Sequence, residues 1–193
     1  MHKHSFSMTA LGVISGVVVN YTFALHGEGF DIVGFFREIS VGLIFGLAIA
    51  AYFRLTGLAD WGRAVGIVLV SAVCWMIALK AAIAIHDSLN SHAAGSANAT
   101  DSYWNYLGAG IPAGAVGSSL MVLSLFLLLG LFRGWRLRVG TVICGALIGA
   151  LLAAVDALES GLVLFPVWQG AFAYCLSLAL SERQRAGTRP TLA

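Results

Sequence analysis

Arg37, Glu38 and Lys80 are the residues of this 193-residue chain whose types and positions could do chemistry, because all three fall within long apolar stretches. An ionised side chain near the centre of a lipid bilayer costs at least about 2.5–3.5 kcal/mol on insertion scales, so each demands a partner, water or a function. A carboxylate beside an ammonium and a guanidinium can form a structural ion pair, or can line a crevice that recognises a small solute. Two positive charges over one negative would favour an anionic or zwitterionic solute. No metal site, cofactor or catalytic residue is predicted.

The composition says what must position these groups. Hydrophobic residues make up 59% of the chain and charged residues 10%, against about 25% charged in an ordinary soluble domain. Too few polar side chains are present to cover a soluble fold, so lipid is the expected solvent. The net charge of +2 is small and the bases form no run interleaved with aromatics, which excludes a nucleic-acid footprint.

Crossing about 30 Å of hydrocarbon takes roughly 20 apolar helical residues. Six stretches qualify: Ser7 to Leu25, Ile32 to Phe53, Ala64 to Ile85, Tyr106 to Phe132, Val139 to Ala157 and Gly161 to Leu180. They are too long and continuous for the strands of a barrel, so the predicted fold is an all-α integral membrane protein, a six-transmembrane-helix bundle. Residues 1–182 form one domain on this reading, and 183–193 a short cytoplasmic tail.

Orientation follows from the bases. With the N-terminus cytoplasmic, the inner segments hold Lys3, Arg54, Arg63, Arg133, Arg136, Arg138, Arg183, Arg185 and Arg189, and the outer loops hold none. Glu28, Asp31, Asp87, Asp101 and Glu159 collect on the other side. This asymmetry predicts both termini in the cytoplasm, with a bacterial plasma (inner) membrane as the expected location. A cleaved signal peptide is the rival for the first stretch, but no small-x-small cleavage site follows it.

Glu38 stands 16 residues before Arg54 and Lys80 stands 17 after Arg63. At about 1.5 Å per residue both lie roughly 24–26 Å from the inner edge, at matching depth on consecutive antiparallel helices. Side chains lean toward a helix N-terminus, so Arg37 can snorkel outward while Lys80 leans inward and needs a partner. A Glu38 to Lys80 ion pair at the outer end of an interhelical crevice is the expectation, with Asp87, His92 and Asp156 as outer-loop contributors.

Close packing in lipid relies on small residues. Gly12, Gly16 and Asn20 share one face of the first helix, Gly42, Gly46 and Ala50 one of the second, and Gly145, Gly149 and Ala153 one of the fifth. Gly110, Gly114 and Ser118 line the fourth, where the run from Asn105 to Ser119 carries four glycines and Pro112. That span is either one long tilted helix or a helix unwound in its glycine-rich half.

The segment from Asp87 to Ser102 reads as a flexible loop, and His86, Asp87 and His92 are too dispersed for a metal site. Trp104, Trp168, Trp61 and Trp135 read as interfacial belts. Cys74, Cys144 and Cys175 sit in apolar stretches without ligand spacing and read as small apolar fillers. Catalytic signatures are missing, so an enzyme is the least favoured class.

Two functional readings remain. One is a transporter, channel or solute-binding membrane subunit with an outward-facing polar crevice. In length and span count the chain is similar to the substrate-capture subunits of energy-coupling-factor transporters, a likeness that carries no residue roles. The other is a non-catalytic assembly or scaffold subunit whose glycine faces dock a membrane-protein partner. In both the lipid bilayer is the surrounding partner.

Overall fold

The computed structural model describes residues 2–25, 32–92, 99–151 and 164–187, with side chains over 5–21, 38–91, 103–151 and 164–185. Among them are six helices and no strand: α1 (His2–Leu25), α2 (Ile32–Leu55), α3 (Trp61–His92), α4 (Ala99–Leu129), α5 (Trp135–Gly149) and α6 (Leu164–Gly187). Four contain segments long and apolar enough to cross a membrane: Glu38–Leu55, Trp61–Ser91, Tyr103–Leu129 and Leu164–Arg185; Ser5–Tyr21 is a shorter apolar helix.

Among the described residues the helices pack on their neighbours in sequence, and α6 closes back on α1 through the most extensive contact between described helices. The result is a closed ring of antiparallel neighbours. Its outer surface carries large apolar side chains such as Ile14, Leu69, Leu123, Leu127 and Leu147, an exterior compatible with a lipid solvent and costly in water. The interior is built from Phe45, Ile49, Phe53, Ile67, Leu125, Phe132 and Leu176.

Local chemistry sets the helix ends. At the end of α2, Gly57 adopts φ +70°, and Leu58 N–H donates to Phe53 O while Gly57 N–H donates to Arg54 O. This doubly bonded left-handed stop suits glycine, which has no Cβ to clash. Asp60 then caps α3 by accepting from Arg63 N–H at 2.8 Å, satisfying one of the orphan donors of a first turn.

Helix-to-helix approach depends on the missing side chains. A Cβ on Gly12 would sit 2.5 Å from Gln169 O, and one on Gly42 2.7 Å from Ala72 Cα. Gly16 lies against Pro166, and Gly46 against Ser71 and Val68. Gly145 lies against the Ser118 side chain and the Gly114 backbone, and Gly149 against the backbones of Gly110 and Gly114. Small-residue contacts of this kind are what helices packing in lipid would rely on, where the hydrophobic effect gives no mutual attraction.

Several boundaries differ from expectation. The third helix is 32 residues long, and the supposed loop from Asp87 is helical to His92, with helix again from Ala99. The extension is held by partners across the pair: His86 stacks on Tyr106 with ring centroids 4.3 Å apart, and Asn105 Nδ2 donates to Asn90 Oδ1 at 2.7 Å. The fourth helix runs unbroken through Pro112. Packing on both sides compensates for the one backbone bond that proline removes. The fifth helix runs to Gly149 with Leu151 again helical, and the rest of the expected span to Ala157 lies outside the described residues; α6 continues past Leu180 to Gly187, with Arg183 Nη1 donating to Leu129 O at 2.8 Å.

Candidate functional site

Glu38 and Lys80 meet. Lys80 Nζ lies 3.3 Å from Glu38 Oε2 across the α2 and α3 seam, one turn beyond the close approach of Gly42 to Ala72. The side chains are 56% (Lys80) and 21% (Glu38) exposed, so the pair is not enclosed by the described helices. Arg37 is helical, but its side chain lies outside the described residues. Asp87 is exposed on the last turns of α3, 3.9 Å from His86 Nδ1. His92 ends that helix with its side chain outside the described residues, and Asp156 lies outside them altogether. Among the described side chains, Glu38 and Lys80 are the members of the predicted group that meet.

The enclosed space lies elsewhere. A cavity of about 90 Å³, partly open, is bounded by α3, α4, α5 and α6. Its walls are Trp75 and Ala78 of α3, the glycine stripe Gly110, Gly114 and Gly117 of α4, Gly149 of α5 and Trp168 of α6. Glycine on two facing helices brings backbones together yet leaves a groove where side chains would stand. Neither Glu38 nor Lys80 is among its described lining residues.

One polar feature breaks the apolar wall. Trp75 Nε1 is buried without a hydrogen-bond partner among the described residues. Its ring is pinned by Phe165 and Trp168, each with centroids 5.6 Å away, and Trp168 continues onto Phe45 and Phe172. An indole N–H normally finds an acceptor when buried; this one has almost no accessible surface, so it is an unsatisfied donor packed within the cavity wall and not open to the cavity. Trp168 is accordingly an interior residue and not part of an interfacial belt, because it shares a face of α6 with buried Phe165, Gln169 and Phe172. Trp61, Trp104 and Trp135 are exposed near helix ends, as a belt requires.

Sequence reasoning passed over Gln169. It is fully buried, accepts from Ser15 Oγ at 2.6 Å and donates through Nε2 to Val41 O at 3.4 Å. One side chain of α6 thus ties α1 and α2 together. The available signal was a lone amide in the middle of an apolar run.

A third polar cluster closes the end of the ring that carries the arginines. Gly130 at φ +63° and Phe132 at φ +55° turn the chain out of α4. Arg138 Nε donates to Phe132 O at 2.5 Å, and the Arg138 guanidinium stacks on Phe126 at 4.3 Å. Among the described residues no group of three or more His, Cys, Asp or Glu could hold a metal ion. Comparison of the chain with protein-family models, with curated proteins and with solved structures finds no match.

Proposed function

We propose that this chain is a six-span membrane protein of a bacterial inner membrane, with both termini cytoplasmic. In our reading it binds a small apolar or amphipathic solute between α3, α4, α5 and α6, as a transporter or solute-binding membrane subunit. The supporting observation is the partly open cavity whose apolar wall holds the unpartnered Trp75 N–H. Such a wall suits a solute with a largely apolar body. Trp75 is 12 residues from Arg63, which at about 1.5 Å per residue sets the cavity about 18 Å from the inner edge and deeper, in the outer half of a 30 Å core.

An anionic solute held by Arg37, Glu38 and Lys80 is less favoured, since Lys80 is already neutralised by Glu38 at 3.3 Å and neither residue is among the described residues lining the cavity. The scaffold reading loses its main support too. The glycine faces that would dock a partner are filled by the chain's own helices.

The test is thermal stabilisation of the purified protein by a panel of small apolar and amphipathic solutes, compared between wild type and Ala82→Leu. Ala82 lines the cavity and is only partly buried, so leucine there fills space at little packing cost. A solute present at about 100 times its Kd adds about 2.7 kcal/mol to the native state. That gain should vanish in Ala82→Leu. A panel that stabilises both proteins equally would remove the basis of the reading.

A further inference from the structure

The Cys175 thiol of α6 lies against both the Cys144 thiol and the Thr141 hydroxyl of α5. Cys144, Cys175, Thr141 and Ser118 of α4 line one small, tightly packed internal gap with no room for a water molecule, divided from the larger cavity by the shared Trp168. The Thr141 hydroxyl is committed to Leu137 O at 2.7 Å. The Ser118 hydroxyl is not: the residue is fully buried and its Oγ has no partner among the described residues. Three helices therefore bring together two soft donors and one uncommitted O–H group.

Cys144 is nine residues from Trp135 and Cys175 eight from Arg183, which puts both about 12–14 Å from the arginine-bearing end, near mid-membrane on the reading above. Structural zinc takes four ligands in a closed tetrahedron, and two thiols fall short of that set. Soft thiolates select Cu(I), for which two sulfurs in line suffice.

We propose that Cys144 and Cys175 form a two-coordinate site for a soft monovalent metal cation of the Cu(I) class, with the Ser118 hydroxyl as hydrogen-bond donor to a ligating sulfur. Binding replaces two thiol protons by one Cu⁺: two S–H bonds break, two S–Cu bonds form, both protons leave to solvent, and the metal keeps its oxidation state. The site then carries one net negative charge in an apolar interior. The free Ser118 O–H is the group placed to stabilise it. This inference is independent of the solute cavity and survives if that reading fails.

The experiment titrates the purified, fully reduced chain with Cu(I) held by a chromophoric chelator, and follows withdrawal of metal from the chelator. One Cu(I) per chain is expected, with Ag(I) competing and Zn(II) not. Cys144→Ala and Cys175→Ala each abolish stoichiometric uptake, while Cys74→Ser keeps it. Ser118→Ala weakens affinity about 10- to 100-fold, as loss of an outer hydrogen bond to a metal ligand does. Absence of uptake by folded wild-type protein, or full uptake by the Cys144 and Cys175 double variant, overturns the proposal. X-ray absorption on wild-type protein gives a readout that needs no variant: two sulfur neighbours are expected, and a nitrogen- or oxygen-dominated shell overturns the site.

Discussion

The hydroxyl of Ser15 donates to the side-chain carbonyl of Gln169 at 2.6 Å, joining residues 154 apart in the chain across the contact that closes the ring. The same amide reaches Val41 O on α2 through its nitrogen. Close packing alone would let α6 slide along α1, since the faces of Gly12 and Gly16 are smooth. A directional bond between buried groups selects one register, because any slip strands an amide in an apolar interior.

A double-mutant cycle of Ser15→Ala with Gln169→Leu measures that lock. Interhelical hydrogen bonds of this kind couple by about 0.6 kcal/mol on average and up to about 1.7 kcal/mol. A coupling in that range is expected from unfolding in detergent, and strict additivity of the two changes would show that the bond contributes nothing.

Two glycines of α5 should respond oppositely to a methyl group. The Cβ of Gly145→Ala would meet the Ser118 side chain and the Gly114 backbone, whereas Gly140 has nothing within 4 Å. Overpacking costs typically about 1–3 kcal/mol, and alanine in an open helical position gains up to about 1 kcal/mol over glycine. Thermal unfolding of the two variants should therefore move in opposite directions from wild type.

The incomplete enclosure of Glu38 and Lys80 sets a small expected coupling. Exposed ion pairs contribute about 0.2–1 kcal/mol and are screened by salt. A cycle of Glu38→Gln with Lys80→Met should fall within that range and shrink at high ionic strength. A salt-independent coupling well above it would mean that the pair is enclosed in the membrane.

Arg138 holds the turn between α4 and α5 through a fork that lysine cannot reproduce. Besides Phe132 O, its guanidinium reaches Arg133 O at 3.4 Å. Arg138→Lys should speed amide hydrogen exchange in residues 130–134 by about tenfold or more, equivalent to about 1.4 kcal/mol of local opening. Unchanged protection there would show that buried Phe132 alone fixes the turn.

The proposed orientation has its own test. In a chain lacking its three cysteines, Arg136→Cys should resist an impermeant thiol reagent applied to intact spheroplasts, and Tyr103→Cys should react. The reverse pattern would invert the topology and move the solute cavity to the inner half of the membrane.

Helical class, small-residue faces and the approximate level of Glu38 and Lys80 were legible in the residue order. Each depends on quantities that act along one helix: apolar length, a repeat of 3.6 residues and a rise of 1.5 Å per residue. Which face meets which is not such a quantity. That Gly12 rests on Gln169, that Gly145 rests on Ser118, that Trp168 turns inward and that Cys144 reaches Cys175 all depend on the register between helices distant in sequence. The unbroken α4 through Pro112 and the extended α3 belong with them, since neighbouring helices support conformations that local propensity leaves open. A linear chain specifies what each helix can offer, and only packing in three dimensions selects the partner that accepts it.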